Sequence, residues 1–522
     1  MSGVPMGSAS VLFPSPPSPA TEIDPPTVPS SFTDLDFDQI VKAVVAGHDE
    51  YRLRPYFGLP LESVDAVVYR QEVFAALDGT PLTETMDNFS DRMRSVRAML
   101  TLAEEMRHRY QRRCWLLTAA ATYVGAVTGL LGELEQAPVT ARALVGWRER
   151  LARYVGSEAF ETLRQDMTEA RGAIARVRYT LLFYARVIRV RRFEGETDYG
   201  EEIASFFARF QQRGGTDHHL EMSGRPTMNR LEQQVLDRVV ALFPDAFGAL
   251  DRFCEAHPVW LDQLVVRFDR EIQFYLAYLE VVRSLRASGL PVCYPVLTSS
   301  KDEAVHSTYD LALALRRLAQ SEEAGGPGAV VTNDYRLSGP ERILVVTGPN
   351  QGGKTTFARA FGQLHWLAAL GCPVPGVHAR LFLADKVLSH FGLGENLADM
   401  RGRLEDDLVR VRETLEQASS GSVVVLNEIF SSTTLRDATV LSRSVLADLS
   451  ALDALGVCVT FVDELASFDH KTVSMVAGVD AADPTVRTFK LERRPADGRA
   501  YAVVLAERYG LSHDRVKERL AR

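Results

Sequence analysis

The sequence predicts an α/β domain with a mostly parallel sheet, preceded by an all-α helical core domain. Apolar residues recur at helical spacing from about residue 34 to residue 286. Beyond residue 340, β-branched runs such as 343–346 and 423–426 alternate with helical stretches. Strands that alternate with helices form parallel sheets, and such sheets bind ligands at the carboxyl ends of their strands. The second half of the chain is therefore expected to carry the ligand site.

Three segments are predicted along the chain. Residues 1–33 are rich in proline and serine and are expected to be disordered. Residues 34–300 are expected to form the helical core domain, in which the alternating run 187–193 reads as a strand, and residues 301–522 the α/β domain.

Composition narrows the class of protein. The 522 residues carry a net charge of −9, which argues against a general polyanion binder but allows a local basic channel. The five cysteines lack metal-ligand spacing and are expected to be small buried residues in a reducing cytosol. No lysine or arginine precedes Lys42, so neither a secretory signal nor a transit peptide is expected. We expect a cytoplasmic location.

The segment 114–132 carries no formal charge and is long enough to span a bilayer. It is diluted by alanine, glycine and threonine, and has few strongly apolar residues. A buried helix that packs closely through its small residues is favoured over a transmembrane helix.

A glycine-rich loop is the strongest chemical signal in the chain. Residues 348–355 fit the pattern G-x-x-x-x-G-K-[ST] between the apolar strand 343–346 and a predicted helix over 356–370. Backbone N–H groups of such a loop surround a phosphate, Lys354 would reach the β/γ-phosphates, and Thr355 would hold Mg²⁺. The predicted nucleotide-binding residues are Gly348, Pro349, Asn350, Gln351, Gly352, Gly353, Lys354, Thr355 and Thr356.

A second strand, residues 422–426, ends in Asn427-Glu428. Nucleotide hydrolases of this type end such a strand in an acidic pair, of which one carboxylate helps place Mg²⁺ and the other polarises the attacking water. Here Asn427 would contact the metal through a bound water, and Glu428 is the candidate general base. The alternative is that Glu428 only caps the strand, and the catalytic role is favoured.

These motifs resemble those of the MutS family, the DNA mismatch repair ATPases. The sequence T-G-P-N-Q-G-G-K-T-T at 347–356 is similar to the family's T-G-P-N-M-G-G-K-S-T, and residues 427–438 resemble its D-E-I-G-R-G-T-S-T-x-D-G segment. Asn333 lies where the family has a Pro-Asn-Asp element. The resemblance covers most of residues 34–522.

The resemblance implies an ABC/MutS-type P-loop ATPase that uses ATP and Mg²⁺ and acts as a homodimer with composite ATP sites. Asn333 would contact the nucleotide, and Thr433 and Asp437 would lie near the partner's nucleotide. The helical core would serve as a lever or clamp, and DNA that is mismatched, branched or otherwise distorted is the expected partner. A membrane partner is not expected.

Several features depart from the family pattern. Its mismatch-recognition and connector domains are not recognisable, so mismatch recognition does not transfer. Its T-H motif is replaced by Val462-Asp463-Glu464, and its glycines by Phe430, Ser432 and Ala438. We expect Asn427 and Asp463 to be paired changes, one acid lost and one gained. Two alternatives remain open: an ATP-dependent switch for protein or membrane partners, and an ATP-binding scaffold with negligible hydrolysis.

Two arginine groups lie in the helical half, over residues 92–113 and 176–192. They would give sequence-neutral contacts to DNA phosphates, or they are ordinary solvated helix surface. The sequence leaves both interpretations open.

Overall fold

The computed structural model describes residues 10–14, 29–184, 187–196, 228–324, 330–392, 402–480, 483 and 486–496. The chain divides into two compact units. The helical unit comprises residues 81–139 and 146–269, and the sheet unit comprises residues 1–80, 140–145 and 270–522. This division differs from the predicted boundary at residue 300, because residues 34–80 pack on the helix that follows the glycine-rich loop. For example, the indole of Trp366 donates to the carbonyl of Phe57 at 2.9 Å.

The elements up to residue 287 are mostly helical. In chain order they are α1 Ser31–Asp34, α2 Phe37–Val45, α3 Val64–Leu77, α4 Pro81–Glu105, α5 Arg109–Gln136, α6 Arg142–Val155, α7 Glu158–Ala175, β1 Tyr179–Tyr184, β2 Val187–Arg192, α8 Arg230–Leu242, α9 Pro244–Ala256 and α10 Gln263–Ala287.

From residue 292 strands and helices alternate, as expected. The elements are β3 Val292–Cys293, β4 Val296–Thr298, β5 Glu303–Thr308, α11 Leu311–Ala324, β6 Asn333–Leu337, β7 Ile343–Thr347, α12 Lys354–Ala369, β8 Val374–Pro375, β9 His378–Phe382, β10 Val387–Phe391, α13 Arg403–Gln417, β11 Val423–Asn427, α14 Leu435–Leu452, β12 Leu455–Val459, β13 Thr472–Val479 and β14 Arg487–Arg493.

The main sheet of the sheet unit has the strand order β10-β11-β12-β7-β13-β14. Its strand pairs are parallel except β13–β14, which is antiparallel. Every residue of β7, β11 and β12 is buried, which explains their continuous apolar sequences. This arrangement confirms the predicted mostly parallel α/β fold, and it brings the carboxyl ends of β7, β11 and β12 together. A smaller sheet has the order β4-β9-β5-β6.

The helical unit is built on a hairpin of α4 and α5, with aromatic side chains in its core. The indole of Trp147 stacks on the ring of Phe268 with centroids 4.3 Å apart, and Phe89 packs on the same ring. The strand expected over residues 187–193 is confirmed as β2, which pairs antiparallel with β1.

Among the described residues, α5 is long and apolar enough to cross a membrane by length and composition. Its apolar residues Leu117, Tyr123 and Val127 are buried within the helical unit. A Cβ on Gly129 would lie 3.2 Å from the guanidinium of Arg92, which is the end of a flexible side chain. Of the most apolar 18-residue window of α5, 44% is buried.

The predicted disorder of residues 1–33 is wrong for residues 10–14, of which Ser10–Phe13 are buried, and for residues 29–33, where α1 begins at Ser31. The sequence Ser-Val-Leu-Phe is apolar enough to bury, and side chains of α3 and α10 bind its main-chain groups. Residues 1–9 and 15–28 of the same segment lie outside the described residues.

Candidate nucleotide site

The glycine-rich loop connects β7 to α12, and its backbone requires glycine. Gly348 and Gly353 have φ angles of 114° and 90°, which side chains rarely allow. A Cβ on Gly352 would lie 2.9 Å from the carbonyl oxygen of Pro349 and 3.0 Å from the Cβ of Ala477. The glycines of the motif therefore serve both conformation and close packing. Gln351, at the family's methionine position, is exposed and also has a positive φ, of 59°.

The side chain of Lys354 folds back along the loop. Its Nζ donates to the carbonyl oxygens of Gly348 at 2.8 Å and Pro349 at 3.2 Å, and to Oδ1 of Asn350 at 3.4 Å. Burial lowers the pKa of Lys354, whereas the carboxylates of Glu428 and Asp463 act to raise that pKa. The ammonium thus lies in a pocket with two carboxylates nearby, and phosphate oxygens could replace the loop oxygens as its acceptors.

The hydroxyl of Thr355 donates to Oδ1 of Asn427 at 3.0 Å. This bond joins the first turn of α12 to the last residue of β11, the two positions that the sequence analysis assigns to Mg²⁺. Glu428 follows with a left-handed φ of 52°, and its N–H donates to the carbonyl of Val459 on β12. Non-glycine residues adopt this conformation infrequently, and such strain is concentrated at functional sites. Phe430, which replaces a family glycine, is also left-handed, with φ 58°.

A cavity of about 440 Å³ opens beside the loop. Its phosphate-loop side is formed by residues 350–356 together with Glu428. The opposite side is more apolar and is formed by Leu313, Val330, Val331, Asn333, Arg317 and Phe489. The polar end, with its lysine, suits the phosphates of a nucleotide, and the apolar end, with its aromatic ring, suits the base.

Asn333 lies in this cavity wall, but its amide binds protein. Nδ2 donates to the carbonyl of Phe489 at 3.2 Å, and Oδ1 accepts from the N–H of Leu491 at 2.7 Å. Phe489 has a φ of 57° and a side chain 47% exposed at the cavity. Asn333 thus positions Phe489 through the backbone of β14. Sequence reasoning missed Phe489, because only the strand pairing brings it beside the loop.

The remaining predicted residues lie outside the lining of this cavity. Thr433 and Asp437 flank the start of α14, where the hydroxyl of Thr434 donates to Oδ2 of Asp437 at 2.8 Å and accepts from its N–H. Asp437 is exposed and serves this helix cap in the chain itself. Asp463 starts a short 3-10 helix after β12, and its charge acts on Lys354. The carboxylate gained at 463 therefore lies near the phosphate loop, as the paired-change hypothesis requires.

The oxygen atoms of this site suit a hard cation. The hydroxyl of Thr355 and the amide oxygen of Asn427 are ligands of the kind Mg²⁺ accepts directly or through water. No group of three His, Cys, Asp or Glu with metal-binding geometry occurs in the described part of the chain. A Mg²⁺ ion here would take most of its ligands from nucleotide phosphates and water, which is how this ion is held at many phosphate sites.

A parallel sheet with a phosphate loop after β7 and an acidic residue after β11, one strand away in the same sheet, defines a P-loop nucleotide-binding domain. Residues 344–518 match the family described as MutS domain V, an ABC-type ATPase domain. The chain is thus a distant homologue of the MutS family, with this ATPase domain in its carboxyl-terminal half.

Three relatives illustrate the similarity. The chain is 29% identical over 231 residues to the DNA mismatch repair protein MutS of Nitratidesulfovibrio vulgaris, covering 42% of this chain and 25% of that protein. It is 32% identical over 216 residues to the same-named protein of Sorangium cellulosum, covering 40% and 23%. It is 31% identical over 196 residues to the endonuclease MutS2 of Thermus thermophilus, covering 36% and 25%. The match thus spans about a quarter of the length of these relatives.

Proposed function

We propose that this protein binds and hydrolyses ATP with Mg²⁺ in the cytoplasm, and that a homodimer couples this reaction to binding of distorted DNA. The observation that carries the ATPase assignment is the Thr355–Asn427 hydrogen bond of 3.0 Å beside Lys354 and Glu428. Lys354 and Thr355 begin α12, Asn427 ends β11 and Glu428 follows it, and a phosphoryl-transfer site needs these four side chains at one point.

Each residue has a distinct role in this proposal. Lys354 would bind the β/γ-phosphate oxygens, and Glu428 would orient a water and take its proton. Thr355 and Asn427 would hold Mg²⁺, which supplies charge neutralisation on the phosphate oxygens. Phe489 would stack on the base.

Dimerisation is supported by the surface at the start of α14. Leu435 is 62% exposed and Val440 is 62% exposed, next to Thr433 and Asp437. Exposed apolar side chains beside polar ones are typical of a protein contact. A second copy placed there would bring Thr433 and Asp437 toward its nucleotide.

DNA binding is supported by a subset of the arginines. Arg97, Arg109 and Arg113 pair with Asp269 or Asp251 within the helical unit, so they are structural. Arg107, Arg112, Arg178 and Arg189 are exposed and form no ion pair among the described residues. Exposed unpaired arginines can neutralise phosphates and release counterions. The names of the relatives refer to DNA mismatch repair and an endonuclease, which agrees with this partner.

A second candidate is an ATP-dependent switch that binds a protein or a membrane. The hairpin of β1 and β2 favours it, because Phe183 is 74% exposed and Tyr184 and Val187 are also exposed. Exposed apolar side chains on these two strands suit contact with a partner surface at least as well as contact with phosphates.

The test is the ATPase rate of the full chain with no DNA, with duplex DNA and with branched DNA, at low and high salt. We expect stimulation by DNA that falls steeply with salt. The double variant Arg178→Ala/Arg189→Ala should weaken DNA binding, whereas Arg412→Ala, an exposed arginine of the sheet unit, should not. If no DNA alters the ATPase rate, the switch is favoured. If the parent chain hydrolyses ATP no faster than the Glu428→Gln variant, the protein is an ATP-binding scaffold with negligible hydrolysis.

A further inference from the structure

Side chains from other elements bind the main chain of the amino-terminal segment Ser10–Phe13. The hydroxyl of Tyr69 donates to the carbonyl of Ser10 at 2.8 Å, and the hydroxyl of Tyr275 donates to the carbonyl of Val11 at 2.6 Å. The segment therefore meets side chains of α3 and α10, and no strand in the described part of the chain pairs with it.

Two buried charges complete the recognition of the segment. The carboxylate of Glu271 accepts from the N–H of Val11 at 2.7 Å and from the hydroxyl of Ser10 at 2.9 Å. The guanidinium of Arg70 donates to the carbonyl of Leu12 at 3.2 Å and 3.1 Å, and lies 5.0 Å from the ring centroid of Phe13. Arg70 and Glu271 are only 0% and 1% exposed.

The serine at the first position has a specific function. Its Oγ accepts from the N–H groups of Leu12 at 3.1 Å and Phe13 at 3.0 Å while its hydrogen points to Glu271. The N–H groups of residues 11–13 and the carbonyls of residues 10–12 thus all have side-chain partners. Buried charges are costly without such partners, so this groove is built for an occupant with a hydroxyl first and an aromatic ring fourth.

We propose that the groove between α3 and α10 is a peptide-recognition site whose ligand is the chain's own Ser10–Phe13 segment, held reversibly. The segment is four residues long and is joined to α1 through the proline-rich residues 15–28. Because the segment belongs to the same chain as the groove, its effective concentration at the groove is high. Arg70 also donates to the carbonyl of Leu370 at 2.7 Å, so the groove borders the end of α12, the helix that begins at Lys354.

The test uses the full chain with a protease site inserted between Ala20 and Thr21. The folded protein is cut there, and a fluorescent peptide of residues 7–16 is added to the cut and to the uncut chain. We expect the peptide to bind the cut chain, measured by fluorescence anisotropy, and to bind the uncut chain far more weakly because the tethered segment competes. Peptides with Ser10→Ala or with phosphorylated Ser10 should bind about tenfold to a hundredfold more weakly, since each loses the bond to Glu271 and the phosphate adds repulsion.

A peptide phosphorylated at Ser15 is the matched control, because it has the same charge outside the recognised residues. Hydrogen exchange of the uncut chain should show the amides of residues 11–13 exchanging faster than those of β7, as a reversible segment requires. The proposal is overturned if the cut chain excludes the peptide or unfolds, or if phosphorylated Ser10 binds as well as the parent peptide. The proposal would also be overturned if the amide hydrogens of residues 11–13 exchanged as slowly as those of β7. A dimer in which each chain binds the amino-terminal segment of the other would overturn it as well.

Discussion

Thr355 and Asn427 are joined by a hydrogen bond of 3.0 Å between the threonine hydroxyl and the amide oxygen, although 72 residues separate them in the chain. The bond fixes the first turn of α12 against the end of β11. Asn427 is buried at a position where an aspartate would add a negative charge, and Asp463 adds one near Lys354 instead. The hypothesis of paired changes therefore predicts that the charges at positions 427 and 463 are coupled.

Asn427→Asp should lower the Mg²⁺-dependent ATPase rate, because a second carboxylate near Glu428 and Asp463 favours protonation of one of them or a shift of the loop. Adding Asp463→His should restore part of the lost rate. Steady-state ATPase measured against Mg²⁺ concentration for both variants decides this. If the single variant equals the parent and the double variant adds nothing, the two positions are independent.

Lys354→Ala should abolish tight nucleotide binding, since backbone donors alone do not replace a charge at the β/γ-phosphates. Calorimetric titration with ATP measures it. Lys386→Ala is the control, because Lys386 is exposed and bonds only the carbonyl of Gln417 among the described residues. Parent-like ATP affinity in Lys354→Ala would exclude this loop as the phosphate site.

Glu428→Gln should retain ATP and slow its hydrolysis by about 10²–10⁴-fold, the usual contribution of a general base. Single-turnover hydrolysis and ATP affinity are measured together, with Glu416→Gln, an exposed carboxylate of α13, as the control. An unchanged rate would move the base elsewhere, and Asp463 and Glu464 would then be the first positions to test.

Phe489→Ala should weaken ATP binding by about tenfold or more, because stacking of a base on an aromatic ring contributes about 1–3 kcal/mol. Binding of inorganic tripolyphosphate should not change, since it has no base. Phe183→Ala is the aromatic control, from the helical unit. Equal losses for ATP and tripolyphosphate would mean that Phe489 supports the loop and does not contact the base. A Cβ built on Gly353 of the loop would lie 3.6 Å from the ring of Phe489.

His365 on α12 should make stability depend on pH. Burial lowers the pKa of His365, but Nε2 lies 2.9 Å from the buried carboxylate of Glu303, and the net effect raises that pKa above its ordinary value. A raised folded-state pKa stabilises the protein fully below the unfolded pKa of about 6.5, and this contribution is lost as pH rises through the folded value. Urea unfolding at about pH 6 and about pH 8.5 should show this loss. His365→Gln should show less of it, and an equal pH dependence in both proteins would contradict the assignment.

The sequence by itself determined the parallel α/β fold, the phosphate loop and the positions of Lys354, Thr355 and Glu428. These are local features: a run of β-branched residues, a glycine pattern and a strand end are readable over about ten contiguous residues. The helix expected over residues 356–370 begins at Lys354 and ends at Ala369, which differs only at its ends.

Only the tertiary structure decided which distant side chains meet. Asn333 and Phe489 are joined across 156 residues, and Ser10 and Glu271 across 261. The arginines of α4 and α5 could not be divided into ion-paired and unpaired groups before the positions of Asp251 and Asp269 were known. Composition predicted disorder for residues 10–13 because the segment around them is rich in proline and serine. Composition carries no information about the buried side chains, distant in the chain, that bind this segment. Periodicity describes neighbours along the backbone, whereas a buried hydrogen bond depends on partners that only the folded chain brings within reach.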